Sequence, residues 1–345
     1  MKYTNLSNTA IKVSKICLGT MTFGEQNTEK DGHEQLDFAI DNGVNFVDTA
    51  EMYSVPGRAA TQGSTEKIIG SWIAKGNRDK IVLATKIAGP SPGLSYIRVN
   101  MGFSKNAIHD AIAKSLKRLQ TDYIDLYQLH WPERKTNCFG VRNYRHFEDE
   151  QWQENFEEVV MTLDNLIKEG KIRHYGLSNE TPYGILRYLE EAKTKNVAQP
   201  VSIQNPYSLL NRTFEIGNAE IAIKKNIGLL AYSPLAFGIL TGKFINGQQH
   251  PNSRIALYPQ MARYTNEQVE NVVAKYAKIA QKHGLSLTQM ALAFVNQQPF
   301  VTSNIIGATS LNQLKENIAS INITLSDEVL KDIEAVFVTQ PNPAP

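Results

Sequence analysis

Four ionisable side chains stand out by type and by place: Asp48, Tyr53, Lys86 and His130. Asp48 ends the apolar stretch Val44-Asn45-Phe46-Val47, and Tyr53 follows five residues later. Lys86 closes the stretch 81–85, and His130 closes 123–129. A phenol beside an ammonium is a proton-donating pair. An unperturbed phenol titrates near about 10. A neighbouring positive charge stabilises the phenolate, so the hydroxyl is expected to release its proton more readily near neutral pH. Asp48 would hold that ammonium in place and charged, while His130 polarises a carbonyl oxygen or relays a proton. Such a set protonates an oxygen that otherwise becomes an alkoxide. Taken singly, Asp48 reads as a helix N-cap, Tyr53 as a loop aromatic over the core, and His130 as a satisfied core histidine. Lys86 directly behind an apolar strand fits such a reading less well, because its position is partly buried. Their recurrence at successive strand ends favours chemistry.

A repeated unit positions them: an amphipathic helix, a Gly-containing stop, a short apolar strand, then polar residues. Asp41-Asn42-Gly43 precedes Val44-Asn45-Phe46-Val47. Lys168-Glu169-Gly170 precedes Lys171-Ile172-Arg173-His174-Tyr175-Gly176, and Asn226-Ile227-Gly228 precedes Leu229-Leu230-Ala231-Tyr232. Glycine past a helix end accepts the left-handed conformation, so each unit reads helix, stop, strand. Further strands are expected at 16–19, 81–85, 123–129, 201–203 and 304–306, making eight. Helical patterns follow over 30–41, 65–75, 105–119, 153–169, 182–195, 213–225, 267–283 and 310–319. Alternating strands and helices imply parallel pairing through crossovers, and eight such units imply a closed (β/α)8 TIM barrel. Residues 3–14 read as a hairpin plugging the barrel's bottom, and 285–297 and 326–338 as additional helices. The long segments 87–103, 132–151 and 241–265 read as functional loops. No linker divides the chain, so residues 1–345 are expected to form one barrel domain.

Composition limits the alternatives. Of 345 residues, 42% are hydrophobic and 20% charged, enough apolar content for a core. Lys and Arg total 36 against 34 Asp and Glu, a formal net charge of +2. No global field attracts a polyanion, so nucleic acid is not an expected partner. Two cysteines, Cys17 and Cys138, make neither a disulfide framework nor a metal-ligand cluster. The start lacks a signal-peptide stretch, and the most apolar run, 227–240, is broken by Ser233-Pro234. The chain therefore reads as cytoplasmic, without membrane insertion.

Cofactor chemistry has its own signals. No G-x-G is present, so the Rossmann dinucleotide fingerprint is missing. Gly307-Ala308-Thr309-Ser310 places a glycine turn where the last strand meets a helix, the usual phosphate site of such a barrel. Lys243 and Arg254 in the seventh loop could add positive charge there, although each alone reads as a solvated loop cation.

These features resemble the aldo-keto reductase superfamily from about Tyr3 to Phe337. The resemblance rests on Leu18-Gly19-Thr20-Met21-Thr22-Phe23-Gly24 and Phe46-Val47-Asp48-Thr49-Ala50-Glu51-Met52-Tyr53. It extends to Leu116-Lys117-Arg118-Leu119-Gln120-Thr121-Asp122-Tyr123-Ile124-Asp125-Leu126-Tyr127 and to the run from Gly170 to Asn179. Residues 131–140 look similar to the bacterial Tas-type branch, near the potassium-channel β subunits. The resemblance implies a catalytic tetrad of Asp48, Tyr53, Lys86 and His130, with Tyr53 as general acid, and NADPH bound without a Rossmann domain. It also implies a set of cofactor contacts. Gly19, Thr20, Met21 and Asp48 contact the cofactor, Ser178, Asn179 and Gln204 hold its carboxamide, and Tyr232 stacks on the nicotinamide ring. Ser233, Pro234, Leu235, Gly238, Lys243 and Arg254 follow the phosphates. Gly307, Thr309, Gln313, Glu316 and Asn317 meet the adenosine end. Met52 and Trp131 are candidates for the substrate pocket. The expected activity is NADPH-dependent reduction of a small-molecule aldehyde or ketone. The alternative is an NADPH-binding regulatory or scaffold module with little turnover.

Overall fold

A hairpin, β1 (Tyr3–Asn5) and β2 (Lys12–Ser14), leads into eight strands. These are β3 (Ile16–Gly19), β4 (Phe46–Asp48), β5 (Val82–Ile87), β6 (Ile124–Leu129), β7 (Ile172–Ser178), β8 (Ile203–Pro206), β9 (Leu229–Tyr232) and β10 (Val301–Ile306). Each pairs with its neighbour in parallel, and β10 also pairs with β3, so the sheet closes into a barrel. The computed structural model describes residues 1–345, apart from the side chains of 246 and 260–262. Strands buried on both faces explain why most could be read as apolar runs. Their ends shift from expectation: β4, β7 and β8 run on to Asp48, Ser178 and Pro206, so these site residues belong to strands rather than to the turns after them.

The helices are α1 (Glu29–Asp41), α2 (Ser64–Ile73), α3 (Lys105–Leu119), α4 (Phe156–Lys168), α5 (Pro182–Thr194), α6 (Asn218–Lys225), α7 (Arg254–Leu257), α8 (Glu267–Lys282), α9 (Leu287–Asn296), α10 (Leu311–Ala319) and α11 (Asp327–Thr339). The first is closed by a capping box between Thr28 and Asp31. Two expectations need correction. The pattern over 213–225 divides into a 3-10 turn, Thr213–Glu215, and α6, because Gly217 between them has φ 90°. The roles assigned to 267–283 and 285–297 are exchanged. It is α9, buried along its whole length, that packs against β10, while α8 lies outside it and packs against α11. The amphipathic stripe of α8 faces other helices, so its periodicity alone could not tell barrel helix from outer helix.

The three glycine stops are not alike. Gly43 and Gly170 are left-handed, at φ 81° and 71°. In the third unit Asn226 takes that conformation, at φ 52°. Gly228 is required for a different reason: a Cβ there would lie 1.9 Å from Thr302 Oγ1 on the last strand.

The barrel interior is layered. Cys17, Phe46, Ala84, Leu126, Leu230 and Ile305 form one apolar cluster, and the hairpin places Leu6 and Val13 in the same cluster. Side chains repeat on one face every two residues. Two positions beyond Phe46, Ala84 and Leu126 are Asp48, Lys86 and Gln128. The next layer toward the strands' C-terminal ends is therefore polar. The expected irregular segment 241–265 contains α7 and three 3-10 turns or their ends, among them Ile245–Gly247 and Pro259–Tyr264. Among the described residues no helix is long and apolar enough to cross a membrane.

Candidate active site

Strand register brings the polar layer together. Asp48 stands opposite Ala84, and Lys86 opposite Gln128. Lys86, with no exposed surface, donates from Nζ to Asp48 Oδ2 at 2.6 Å and to the Thr49 carbonyl at 2.7 Å. The other Asp48 oxygen accepts from Gln128 Nε2 at 3.0 Å and from Gln204 Nε2 at 2.9 Å. Gln204 also donates to Gln128 Oε1 at 3.0 Å. A buried carboxylate is costly unless both its oxygens are satisfied, and here they are. The Lys86 ammonium sits 5.0 Å from the centre of the Tyr53 ring. The His130 ring meets Tyr53 edge-on, with centroids 5.7 Å apart.

Burial decides the titration of this group. Desolvation raises the Tyr53 phenol above its usual value, against the downward pull of Lys86. The expectation of a lowered phenol is thus corrected. Lys86 acts in the expected direction, but burial outweighs it. The phenol stays protonated through neutral pH, which is the form a proton donor needs. Burial alone would lower the Lys86 ammonium, yet the charges of Asp48 and Tyr53 prevail and raise it. His130 is pushed well below its usual value by burial and by Lys86, so its imidazole is neutral at neutral pH. Its Nδ1 has no hydrogen-bond partner among the described residues.

A cleft of about 1400 Å³ opens over this layer at the C-terminal ends of the strands. Asp48, Tyr53 and His130 line it; Lys86 lies beneath its floor and reaches it through Asp48 and Tyr53. The candidate cofactor residues all lie along it. Gly19 ends β3 and Thr20 and Met21 follow it, and a Cβ on Gly19 would meet Ile305 Cγ2 at 2.8 Å. Ser178, Asn179, Gln204 and Tyr232 come from β7, β8 and β9. Asn179 Nδ2 donates to the His130 carbonyl at 2.8 Å, and its Oδ1 accepts from the Tyr232 hydroxyl at 2.6 Å. Ser233, Pro234, Leu235, Gly238, Lys243 and Arg254 form the side toward the seventh loop. Gly307, Thr309, Gln313, Glu316 and Asn317 close the far end, where Gln313 Oε1 accepts from the Thr309 amide at 2.9 Å and Asn317 Nδ2 donates to the Gly307 carbonyl at 3.1 Å. Met52 and Trp131 are on the opposite wall. Trp131 lies 4.8 Å from the His130 ring and donates from Nε1 to the Pro90 carbonyl at 3.1 Å.

Three features escaped the sequence. Gln128 bridges Asp48 and Gln204, and the only signal was an amide in the second half of a mostly apolar strand. Glu51 and Arg98 form a buried ion pair, and Glu51 Oε1 also accepts from the Ala88 amide at 2.7 Å. That pair ties segment 87–103 to the strand end carrying Tyr53. The third is Arg263, on the cleft wall beside Tyr232. Nothing in its sequence surroundings distinguishes it from other loop arginines.

Comparison with known proteins agrees with this geometry. A family model described as "Aldo/keto reductase family" matches residues 15–337. "Protein tas" of Escherichia coli (strain K12) is 49% identical over 352 residues, covering 100% of both chains. "Uncharacterized oxidoreductase YrpG" of Bacillus subtilis (strain 168) is 34% identical, over 98% of this chain and 96% of its own. "Probable voltage-gated potassium channel subunit beta" of Arabidopsis thaliana is 31% identical, over 99% and 98%. With a parallel eight-stranded barrel, a family model that spans most of its length and relatives matched end to end, the chain belongs to the aldo/keto reductase family of oxidoreductases.

Proposed function

We propose that the protein reduces aldehydes or ketones to alcohols with NADPH, reversibly, with Tyr53 as the general acid. The observation that carries this is the buried Asp48–Lys86 pair beneath a protonated phenol that faces the cleft. Donor chemistry along the cleft also fits the cofactor. Arg254 is partly buried, its charge is disfavoured by desolvation, and no carboxylate lies within ion-pair reach among the described residues. Its contacts are Met21 Sδ at 3.6 Å and the Phe237 ring at 5.0 Å. Lys243 is likewise lowered by burial and by Arg254. Two cations that repel one another in a partly dry cleft favour a phosphate between them, which supports NADP over NAD.

Bound NADPH supplies the hydride. Tyr53 gives its proton to the carbonyl oxygen as that oxygen gains charge, so no free alkoxide need form. The phenolate left behind is stabilised by the Lys86 ammonium, which Asp48 keeps charged and fixed. Neutral His130, across from Tyr53, orients the carbonyl. Tyr232 would flank the nicotinamide, while Ser178 Oγ and Gln204 Oε1 keep capacity to meet its carboxamide; both Gln204 N–H groups are already engaged. The test is Tyr53→Phe. NADPH oxidation with a panel of aldehydes should fall by roughly 10²–10⁴-fold, while NADPH titration gives an unchanged dissociation constant. Undiminished turnover would remove Tyr53 from this role. In the wild-type protein, turnover slower than cofactor release with every carbonyl would instead favour a cofactor-binding module, the class suggested by the channel-subunit relatives.

A further inference from the structure

We infer that the substrate half of the cleft selects carbonyl compounds that carry a carboxylate, and that Arg263 receives it. This deepens the proposed reductase reading and rests on it. Beyond His130 the wall carries an aromatic stretch: the Trp131 ring leads to the Phe139 ring, 5.8 Å away and edge-on. Arg263 stands at the end of that wall. A Cβ on Gly140 would lie 3.4 Å from its Cδ, so its stem rests against segment 132–151 where it meets the seventh loop. Its guanidinium lies 4.8 Å from the Tyr264 ring and 5.6 Å from the Phe237 ring, next to the Tyr232 hydroxyl.

Among its charged neighbours, Lys135 lies over the Phe147 ring, and an oxygen of the last residue, Pro345, lies 3.5 Å from that same Cβ position at Gly140 without forming an ion pair with Arg263. Glu133 lines the same wall, but its oxygens accept from the Phe103 amide at 2.8 Å and from Asn155 Nδ2 at 2.8 Å. Arg134 also lines it and is clamped by both oxygens of Glu180. No carboxylate lies within ion-pair distance of Arg263 among the described residues. The four residues without described side chains are Asn, Gln, Met and Ala, which carry none. The half-buried guanidinium has the Tyr232 and Tyr264 hydroxyls as its neutral partners; of its five N–H donors the others stay available to an anion, and a carboxylate matches that planar geometry. The guanidinium carbons of Arg263 and Arg254 lie 5.6 and 5.0 Å from the centre of the Phe237 ring, so both arginines border the same aromatic side chain. The reaction remains transfer of hydride and proton to the carbonyl; the carboxylate is held and unchanged.

The test compares 4-carboxybenzaldehyde with its methyl ester in the wild-type protein, Arg263→Met and Arg263→Lys, at saturating NADPH. The wild type should prefer the acid. Arg263→Met should lower kcat/KM for the acid by about tenfold or more, chiefly through KM, and for the ester by less than about threefold. Arg263→Lys should recover part of the loss. Equal effects on acid and ester would overturn the inference. So would a weakened NADPH dissociation constant with the preference intact, which would assign Arg263 to the cofactor. A binding measurement separates this from failure of the reductase reading. 4-(Hydroxymethyl)benzoate is titrated calorimetrically into the NADP-loaded protein. If neither aldehyde is reduced, the reductase reading fails. About tenfold weaker benzoate binding in Arg263→Met would still support a carboxylate site. Unchanged binding, or none to the wild type, would refute it.

Discussion

The two ends of the barrel handle charge differently. At the N-terminal end, the Tyr123 ring lies between the guanidinium groups of Arg78 and Arg173, at 3.8 and 4.4 Å. Both are held by Asp125, at 2.7 and 2.8 Å, and Asp125 also accepts from the Leu83 amide at 2.9 Å. The two guanidinium groups share one carboxylate. At the C-terminal end Lys86, Arg98 and Arg134 are paired with Asp48, Glu51 and Glu180, whereas Arg254, Lys243 and Arg263 around the cleft have no carboxylate in ion-pair contact among the described residues. Internally compensated charge serves the fold, whereas uncompensated charge in a cleft is left for something that binds. Stability and function divide along the barrel axis, as this architecture favours.

That division can be broken at its strongest point first. Lys86→Met removes the compensated cation beneath the cleft floor and leaves Asp48 buried and without its ion pair. Unfolding by denaturant should show a loss of about 3–5 kcal/mol, and carbonyl reduction should fall by roughly 10²–10⁴-fold. Asp125→Asn makes the equivalent cut at the other end. It should cost about 3 kcal/mol, since mostly buried Arg78 loses its partner while half-exposed Arg173 returns to water. Cofactor affinity and kcat/KM should stay as in the wild type. A parallel loss of activity would mean the two ends are coupled. Arg254→Met should do the reverse. NADPH binding should weaken by about tenfold or more, NADH binding should change little, and stability of the ligand-free protein should move by less than about 1 kcal/mol, because no partner is orphaned.

The smallest effect is one of pH. His130 binds its proton more weakly in the folded protein than in the unfolded chain. Below about pH 6.5 the unfolded chain therefore takes up the proton first, and acid favours unfolding. His130→Gln should show a shallower fall of stability with acid than the wild type; identical slopes would mean His130 is not buried neutral. Tyr53 sets the opposite limit. Its raised value keeps the donor form through neutral pH, so reduction should decline only at alkaline pH, above the usual phenol value of 10.0.

Much of this was legible in the residues. Parallel strands covered on both faces read as apolar runs, and a charged residue at the C-terminal end of such a run falls in or beside the layer under the cleft. Asp48, Lys86 and His130 were therefore locatable by local pattern, as were the helices with a clear stripe. Patterns of this kind are short-range, carried by neighbours within a turn or a strand. Tertiary structure decided what depends on distance across the fold. Gln128 became the bridge to Gln204 through register. Gly228 owes its identity to Thr302 rather than to a helix end. Which of α8 and α9 faces the last strand was settled by packing. The direction of the Tyr53 shift and the lack of a carboxylate beside Arg263 belong to the same class. Desolvation and charge balance sum over everything that surrounds a group, and those surroundings come from residues hundreds of positions apart in the chain.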